Sequence, residues 1–503
     1  MSQAIMLITT LTLLSKGFGF VRDMIVAYFF GTSNTMDAFL ASQNPLNLLS
    51  GIVMGTVVAA FIPLFIRVRK EKGQDEAEHF SATIFYSSFS LLLILIALSA
   101  FFAPDVAKVF VPGFSGEKLA LTAKFLRWMS FAALITSSLN FINAILRSEK
   151  KFLAYPLTGL GFDVVVIATL FITKNLGDLS LALAWTSGPL FMMLILAFAE
   201  RHYLNPFKLK KGIPETKILF KMVLPLLFSS AFGMLNTIID RSFASALTTG
   251  AISALGYAAR IKGAVSGVLG TPVSQVTYPS IATHVTEKDT NGLSITVIRS
   301  MKLLSFFLIP ISFALFPLAK GIVGILFQRG NFTYASTLLT YPPLIASSIS
   351  LFTMAYNGVL VQVYYSFKDS KTPMIYGTIG IGINILLNFL FISPLKQTGL
   401  ALSTSLASFY FTIIMLHSLK RRFGIRFFNL WYFFRVIISS TIMMVGMYLI
   451  MLSMNGRIRY VIAALTGIGV YYIMSRIVKT LPKHFLRYLK FKKVAPEIKE
   501  KIQ

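Results

Sequence analysis

Long apolar runs separated by short polar connections fill the chain up to about residue 480. A membrane-spanning helix needs about 20 mainly apolar residues, and runs of that length recur throughout. The runs lack the alternating ten-residue pattern of a membrane β-barrel, so the spans are expected to be helices. We predict fourteen spans, at 4–30, 37–65, 79–103, 119–146, 152–173, 178–199, 217–246, 250–283, 295–319, 335–366, 373–394, 398–419, 428–453 and 458–477.

The connections between the runs alternate in charge. Every second connection is rich in Lys and Arg, as in "IRVRKEKGQDEAEH" and "KRRFGIR", whereas "GTSNT" and "TTG" of the other set contain neither residue. Short basic connections lie on the cytoplasmic side of a membrane. The alternation therefore predicts that both termini are cytoplasmic and that the number of spans is even.

Composition supports the same class. Of the 503 residues, 55% are hydrophobic and only 13% are charged, against about 25% charged in soluble proteins. The net charge of +28 would fit a nucleic-acid-binding protein, but most of the positive residues cluster in the connections between apolar runs, so no nucleic acid partner is expected. The chain has no cysteine and five histidines without metal-ligand spacing, so we predict no metal ion and no cofactor.

An internal repeat divides the chain. Asp23 and Asp240 are 217 residues apart, as are Pro156 and Pro373, and "SGIVMGTVVAAFIP" at 50–63 is echoed by "SGVLGTPVSQVTYP" at 266–279. The offset covers six spans, so the two copies have the same orientation, as in transporters built from parallel repeats. The predicted fold is an all-α bundle in which 1–215 and 216–425 are two six-helix lobes, 426–480 contains two added helices, and 481–503 is a basic cytoplasmic tail.

The first span contains charges that a lipid-facing helix would not tolerate. Lys16 and Asp23 are two helical turns apart and share a face, with Arg22 beside them. Each such charge costs roughly 2.5–3.5 kcal/mol near the centre of a bilayer. The charged face must therefore meet a water-filled cavity or a partner helix.

Further ionisable residues concentrate on the opening pair of spans in each lobe. Asp37 begins span two, Asp240 and Arg241 follow Asn236 in span seven, and span eight contains Arg260 and Lys262. This distribution predicts one central polar site. Asp163 stands alone in span five, and we interpret it as a packing residue.

The predicted site has an excess of positive charge. Five basic residues stand against three aspartates, and a cationic cavity needs an anionic occupant. Arginine suits a phosphate because its planar guanidinium donates two hydrogen bonds at once, and a diphosphate matches two or three such groups. The structural alternative is that the same residues form ion pairs that hold the helices together.

Several motifs in register carry a resemblance to a known family. They are "LLSKGFGFVRDMIVAYFFGTSNTMDAF" in spans one and two, "SALGYAARIKGAVSGVLGTPVSQVTYPSI" in span eight, "FQRGNF" at 327–332 and "YYSFKDSKTPMIYGTIGIGINILLN" at 364–388. The chain resembles the MurJ/MviN family of bacterial lipid II flippases, within the multidrug/oligosaccharidyl-lipid/polysaccharide exporter superfamily. The resemblance runs from about residue 10 to 425.

The resemblance implies a fourteen-helix transporter that moves the undecaprenyl-diphosphate-linked peptidoglycan precursor to the outer leaflet by alternating access, for cell-wall synthesis. It implies that Arg22, Asp23, Arg260, Lys16 and Asp37 bind the substrate. Independently of the resemblance, the distribution of charged and polar residues predicts a second set that lines a secondary cavity: Asp240, Arg241, Lys262 and Asn236. Spans 13 and 14 would form a groove for the lipid tail. The expected partners are this glycolipid, membrane lipids and a coupling ion, for which the aspartates are candidates.

The sequence also departs from the family in span two. Many members have an arginine pair followed by a glutamate, where this chain has Leu49, Ser50 and Met54, and Ala259 replaces an aspartate before the span-eight arginine. A flippase for a different polyprenyl-diphosphate-linked oligosaccharide is therefore the main alternative. A drug/cation antiporter is less favoured because its cavity would be acidic. We do not expect an enzyme, because no nucleophile–base set or phosphate-cradling glycine loop is present.

Overall fold

The computed structural model describes residues 2–151, 153–210, 213–424 and 429–481, and these contain helices and no β-strand. Most of the predicted basic tail, at 482–503, lies outside the described residues. The helices are α1 (Ser2–Phe30), α2 (Asn34–Ser50), α3 (Thr56–Lys72), α4 (Gln74–Phe101), α5 (Ala103–Phe110), α6 (Gly116–Ser148), α7 (Ala154–Ile172), α8 (Leu179–Ala199), α9 (Pro214–Ser245), α10 (Ala251–Thr286), α11 (Thr290–Phe327), α12 (Tyr334–Ser348), α13 (Ser350–Ser366), α14 (Lys371–Phe423), α15 (Leu430–Ser453) and α16 (Ile458–Ile477).

The helices agree with the predicted spans once three interruptions are recognised. Span two is α2 and α3 joined by a π-helical turn at Gly51–Gly55. Span ten is α12 and α13, which meet at a bend of 44°. Spans eleven and twelve are the two parts of α14, which is broken at Lys396, where φ is 51° and ψ is −133°. The prediction of an all-α membrane fold with about fourteen spans is confirmed.

Length and hydropathy alone identify fewer spans. Among the described residues, nine helices are long and apolar enough to cross a membrane, and the bent pair α12–α13 makes a tenth. One of the nine is α14, which contains two predicted spans. The helices α1, α9 and α10 are not among them, and these three contain all the ionisable residues predicted for the site except Asp37, which lies on α2.

The chain folds into two compact units. The first comprises Met1–Arg260, Leu326–Thr340 and Ile385–Leu400. In it α6 packs against α2, α4 and α8, and α7 packs against α1 and α8. Its core is rich in aromatic rings, and Phe61 lies parallel to Phe80 with ring centroids 5.6 Å apart.

The second unit comprises Ile261–Ile325, Tyr341–Asn384 and Ala401–Gln503. Its larger apolar core joins residues of α10, α11, α13, α14 and α15. A smaller core joins α11 to α15 and α16, where the buried hydroxyl of Tyr471 donates a hydrogen bond of 2.8 Å to the carbonyl of Phe306. The second unit therefore holds α15 and α16, the two helices predicted as additions to the repeat, through apolar packing.

Ion pairs fasten the connections of the first unit on the side of the membrane where Lys and Arg concentrate, which we call the basic side. Glu149 is held by Lys151 at 2.7 Å and by Arg69 at 3.1 Å, and it accepts a hydrogen bond from the buried hydroxyl of Tyr203. Lys151 also contacts Glu200 at 2.6 Å. These five residues form the Glu149 cluster, which joins three separate connections.

The contacts within the Glu149 cluster shift the pKa values of Glu149 and Tyr203. Burial of the Glu149 carboxylate works against ionisation, but the hydrogen bonds from Lys151 and Tyr203 and the charges around them outweigh it, so its pKa lies below the ordinary value. Burial, together with the hydrogen bond to Glu149, raises the pKa of Tyr203 to about 12. The cluster is therefore stable in its charged form at neutral pH.

Candidate functional site

The first helix brings Arg22 and Asp23 into the first unit because α1 packs along α7. The Nη1 atom of Arg22 lies 2.6 Å from an oxygen of Asp163 on α7, and its Nη2 atom lies 3.0 Å from Asp23. The three side chains are largely buried, with Asp163 only 7% exposed. The charged face of α1 is thus turned toward a partner helix, as the cost of charge in lipid requires.

Arg260 joins this group from α10. Its guanidinium forms a salt bridge with the same oxygen of Asp23 that Arg22 contacts. Arg22, Asp23, Asp163 and Arg260 therefore form one connected group, which we call the arginine cluster. The structure brings together the arginines of spans one and eight that the sequence singled out.

Two aromatic rings flank the Arg22 guanidinium. Its central carbon lies 5.4 Å from the ring centroid of Phe162 and 5.2 Å from that of Trp185, both within cation–π range. Trp185 is itself fixed by an edge-to-face contact with Phe39, at a centroid distance of 5.0 Å. The rings and the carboxylates fix the position of Arg22, so its donors are preorganised for a planar acceptor.

A cavity of about 660 Å³ adjoins the arginine cluster, since Phe162 and Trp185 line it as well. Its other walls come from α2, the π-helical turn, α3, α6, α7 and α9. The polar side chains in these walls are mostly neutral amides and hydroxyls: Gln43, Asn47, Ser50, Thr136, Ser137, Asn140 and Tyr155, with Arg147 as the charged exception. Such groups suit a ligand that presents hydroxyl and amide groups.

The charges of the arginine cluster balance one another. Two guanidinium groups face two carboxylates, so the group is neutral when all four are ionised. The sequence predicted an excess of positive charge for the wider site, and its structural alternative predicted ion pairs. Within this cluster the ion pairs are present, and an anionic ligand must replace a carboxylate at a guanidinium. Lys16 lies six residues before Arg22 on α1, and its side chain is exposed.

Asp37 occupies a different environment. Its carboxylate is 1% exposed, accepts hydrogen bonds from the backbone N–H groups of Gly250 at 2.7 Å and Ser253 at 2.8 Å, and pairs with Lys118 at 2.8 Å. The two N–H groups lie at the start of α10, where the backbone donors have no partner within the helix. Asp37, on the neighbouring helix α2, accepts their hydrogen bonds and so caps α10. The described contacts of Asp37 join helices and do not include the arginine cluster.

The residues predicted for a secondary cavity face several neighbours. Arg241 donates a hydrogen bond of 2.9 Å to the carbonyl of Leu40 and another to the side chain of Asn44, both on α2. The adjacent Asp240 accepts a hydrogen bond of 2.9 Å from the amide of Asn388. The two side chains of this Asp–Arg pair thus contact different helices of the first unit.

The remaining two residues of that set lie on α9 and α10. Asn236 is half-buried on α9. The Nζ atom of Lys262, in the second unit, lies 3.5 Å from the hydroxyl of Ser350. The contacts described for the four residues do not place them in the wall of one cavity.

The "FQRGNF" motif has a structural role at the side opposite the basic side. The backbone N–H of Asn331 donates to the carbonyl of Tyr28 at 2.8 Å, and its side-chain amide donates to that of Phe29 at 2.6 Å. The buried hydroxyl of Tyr257 on α10 donates to the carbonyl of Gly31 at 3.0 Å. The motif therefore ties the end of α1 to its neighbours in the first unit.

Sequence reasoning missed Asp163, Phe162 and Trp185 as members of the site. The signal for Asp163 was present, since an ionisable residue inside an apolar span needs a partner. No comparable signal marked Phe162 and Trp185, because aromatic residues are ordinary components of membrane helices. Only the packing of α7 and α8 shows that their rings meet Arg22.

Comparisons with known proteins show which family the chain belongs to. A family model described as "Lipid II flippase MurJ" matches residues 26–469. A probable lipid II flippase MurJ of Rickettsia prowazekii (strain Madrid E) is 30% identical over 416 residues, which cover 80% of this chain and 80% of the relative.

Solved structures give the same result at the level of the fold. A structure titled "Lipid II flippase MurJ, inward closed conformation" has a TM-score of 0.82 at 27% identity and covers 94% of this chain and 98% of its own. An inward-facing multidrug resistance MATE family transporter of the MOP superfamily has a TM-score of 0.68 at 15% identity, and the match covers 82% of this chain and 94% of the transporter chain. At this identity the likeness shows a shared fold alone. With the family model extending over most of the membrane-spanning helices, the chain belongs to the lipid II flippase MurJ family.

Proposed function

We propose that this chain is a lipid II flippase, which moves an undecaprenyl-diphosphate-linked peptidoglycan precursor from the inner to the outer leaflet. The observation that carries the proposal is the buried arginine cluster, in which Arg22 of α1 and Arg260 of α10 share Asp23. Membership of the family supports the same substrate class. Charged groups buried in a membrane bundle cost free energy, and in membrane proteins they commonly mark a substrate or ion pathway.

The diphosphate binds by exchange of ion-pair partners. Arg22 is held by Asp163 and Asp23, and Arg260 is held by Asp23. A diphosphate presents more acceptor oxygens than one carboxylate and can engage both guanidinium groups. When it arrives, Asp163 or Asp23 gives up its arginine, and when it leaves, the carboxylate returns. Each guanidinium group thus has an anionic partner in both states, and the displaced carboxylate competes with the diphosphate and promotes its release.

The adjoining cavity receives the polar headgroup. Its neutral amides and hydroxyls can hydrogen-bond the hydroxyl and amide groups of a glycan or peptide without trapping a charge. Phe162 and Trp185 belong both to the cavity wall and to the surroundings of Arg22. A headgroup that fills the cavity therefore places its diphosphate beside the arginine cluster.

The transport cycle follows from the repeat. We propose that 1–215 and 216–425 are the two lobes, that they alternate access, and that 426–480 holds the lipid tail. The basic connections set both termini in the cytoplasm. A coupling ion or the membrane potential resets the cycle, with Asp23, Asp37 and Asp240 as candidate ion ligands. The basic side is then cytoplasmic, and the cycle needs no cofactor.

A flippase for another polyprenyl-diphosphate-linked oligosaccharide is the second candidate. Ser50 and Met54, which replace charged residues of many family members, both line the cavity of 660 Å³. Their neutrality changes the headgroup contacts and leaves the arginine cluster intact. The antiporter alternative has less support, since the likeness to the MATE transporter is one of fold.

Complementation tests the proposal. A bacterial strain depleted of its own lipid II flippase is supplied with the wild-type chain or with Arg22→Ala, and growth and accessibility of lipid II at the outer surface are measured. We expect the wild-type chain to restore both and Arg22→Ala, at equal membrane abundance, to restore neither. Failure of the wild-type chain, with rescue of a strain lacking a different glycolipid flippase, would overturn the peptidoglycan assignment.

A further inference from the structure

A second cavity, of about 730 Å³, lies in the first unit away from the arginine cluster. It lies between α4, α6 and α8 near their basic-side ends, and residues 201, 202 and 204–206 line its mouth. None of its lining residues belongs to the cavity beside Arg22. The transport site described above therefore does not account for it.

The interior of this cavity is apolar and reaches into the membrane. Phe85 and Phe89 line it from α4, Ile142 from α6 and Met193 from α8. Phe89 lies about four helical turns from the start of α4, so the cavity extends well below the membrane surface. The helices α4, α6 and α8 are all apolar enough to span a membrane. An acyl chain fits the chemistry of this interior.

The mouth of the cavity is polar and positively charged. Arg201, His202 and Asn205 line it at the basic-side end of α8. Two lysines of the same segment are already neutralised, since Lys208 contacts Asp75 and Glu78, and Lys210 contacts Glu76. Arg201 has no carboxylate partner among the described residues, and its guanidinium carbon lies 5.3 Å from the ring centroid of Phe198. It is therefore available to an anionic ligand.

The residues around the mouth favour a location at the membrane surface. Phe198 is 73% exposed and Phe207 is 94% exposed, and both flank the charged residues. Exposed aromatic rings next to basic side chains are typical of a segment at the boundary between headgroups and acyl chains. A phosphate of the basic-side leaflet would lie at the level of Arg201, directly above the apolar interior.

We propose that this cavity binds an anionic phospholipid of the surrounding membrane, with one acyl chain between α4, α6 and α8 and its phosphate at Arg201 and His202. The occupant is a bulk lipid and not the transported substrate, because the arginine cluster that meets a diphosphate adjoins the other cavity. This proposal uses the cytoplasmic orientation of the basic side, given under the proposed function, only to name the inner leaflet as the source of the lipid.

Photolabelling tests the proposal on the full-length chain. Vesicles contain a trace of phosphatidylglycerol with a diazirine on its acyl chain, and the labelled peptides are identified by mass spectrometry. We expect labelling on peptides that contain Phe85, Phe89 or Met193, and competition by unlabelled phosphatidylglycerol at least threefold stronger than by phosphatidylcholine. Absence of label from these peptides, or equal competition by the two lipids, overturns the proposal.

Variants identify the two parts of the ligand. Ala197→Trp fills the cavity and should reduce labelling at least fivefold, whereas Leu194→Trp, on the exposed face of α8, should leave it unchanged. Arg201→Gln with His202→Gln alters two exposed residues and should remove the preference for phosphatidylglycerol. Lys70→Gln, an exposed cation of the same side, is the matched control. Loss of the preference in Lys70→Gln as well would refute a specific phosphate site.

Competition and transport separate this proposal from the proposed function. If undecaprenyl diphosphate displaces the label better than phosphatidylglycerol, the cavity holds the substrate tail and the phospholipid proposal is wrong. Arg22→Ala should lose flipping and keep the label, and Arg201→Gln with His202→Gln should keep flipping. A chain that fails to flip lipid II but retains the label contradicts the transport proposal alone.

Discussion

The Nη1 atom of Arg22 lies 2.6 Å from the carboxylate of Asp163, a residue 141 positions further along the chain. This contact joins the first helix of the chain to α7 inside the membrane-spanning part of the protein. It also means that the arginine expected to bind a diphosphate is already occupied by an acid. The predictions below follow from this competition between a resident carboxylate and an incoming ligand.

Asp163→Asn should strengthen binding of a diphosphate lipid. The amide no longer competes by charge for the Arg22 guanidinium, so we expect the Kd for undecaprenyl diphosphate to fall about three- to tenfold, which corresponds to about 0.7–1.4 kcal/mol. Flipping should become slower, because the returning carboxylate no longer assists release. The Kd is measured by native mass spectrometry in detergent, with Asp75→Asn, which changes an exposed acid, as the control. Weaker binding in Asp163→Asn would refute partner exchange.

Arg260→Ala should abolish flipping while the protein still inserts. The substitution removes one of two guanidinium groups and leaves Asp23 to Arg22 alone, so the cluster becomes negative. We expect at least a tenfold loss of lipid II transport in vesicles, and an intermediate value for Arg260→Lys, which keeps the charge and loses the planar fork. Membrane abundance is measured in parallel. Full activity of Arg260→Ala would remove this residue from the site.

Trp185→Leu should weaken the site without changing its charge. Loss of the ring removes a cation–π contact worth about 0.5–2 kcal/mol, so binding of undecaprenyl diphosphate should weaken about two- to thirtyfold. Trp185→Phe keeps a ring and should stay close to wild type.

A variant with Trp185 as its only tryptophan provides an independent readout. It carries Trp128→Phe and Trp431→Phe, and its fluorescence should change when undecaprenyl diphosphate is added, because Trp185 lies beside Arg22. The same variant with Arg22→Ala serves as the control. A response of equal size in that control would place the bound lipid elsewhere.

Asp37→Asn should lower stability more than ligand binding. The variant loses the charge that pairs with Lys118 and weakens the cap on the first N–H groups of α10. Removal of a buried hydrogen-bonding charge costs about 1–3 kcal/mol, which should appear as a lower Tm of the purified protein. Asp105→Asn, at an exposed position near the start of α5, should leave Tm unchanged.

The opposite result for Asp37→Asn has a definite meaning. If the Kd for undecaprenyl diphosphate rises more than tenfold while the Tm stays at the wild-type value, Asp37 belongs to the substrate site, as the sequence predicted.

The Glu149 cluster should make stability depend on pH in the acid range. The pKa of Glu149 is below its ordinary value, so its stabilising contribution is complete above that ordinary value, about 4.3, and is lost as the pH falls through the lowered pKa. Between pH 6 and 8 we expect no pH dependence from this group. Glu149→Gln should have a lower Tm than wild type at pH 7, and the difference should shrink below about pH 4. A difference that persists unchanged at low pH would exclude charge as the cause.

Several features of the protein were determined by the sequence alone. The apolar runs set the number of spans because burying the backbone in lipid requires helices of a fixed minimum length. Arg22, Asp23 and Arg260 could be assigned to one site, since charges inside such spans cannot face lipid. The breaks in these spans, such as the one at Lys396, were less accessible, because they depend on backbone angles that composition does not fix.

Only the tertiary structure decided which acid faces each arginine. In the sequence Asp163 looked like a packing residue because it stands alone in an apolar span, whereas Asp37 looked like a substrate ligand because it begins span two at a position that matches the family. The packing of α1 on α7 brings Asp163 to Arg22, and the start of α10 takes up Asp37. Sequence shows that a buried charge must have a partner, whereas the choice of partner depends on helix rotation and packing. That choice makes the cluster neutral and requires a ligand to compete for its arginines.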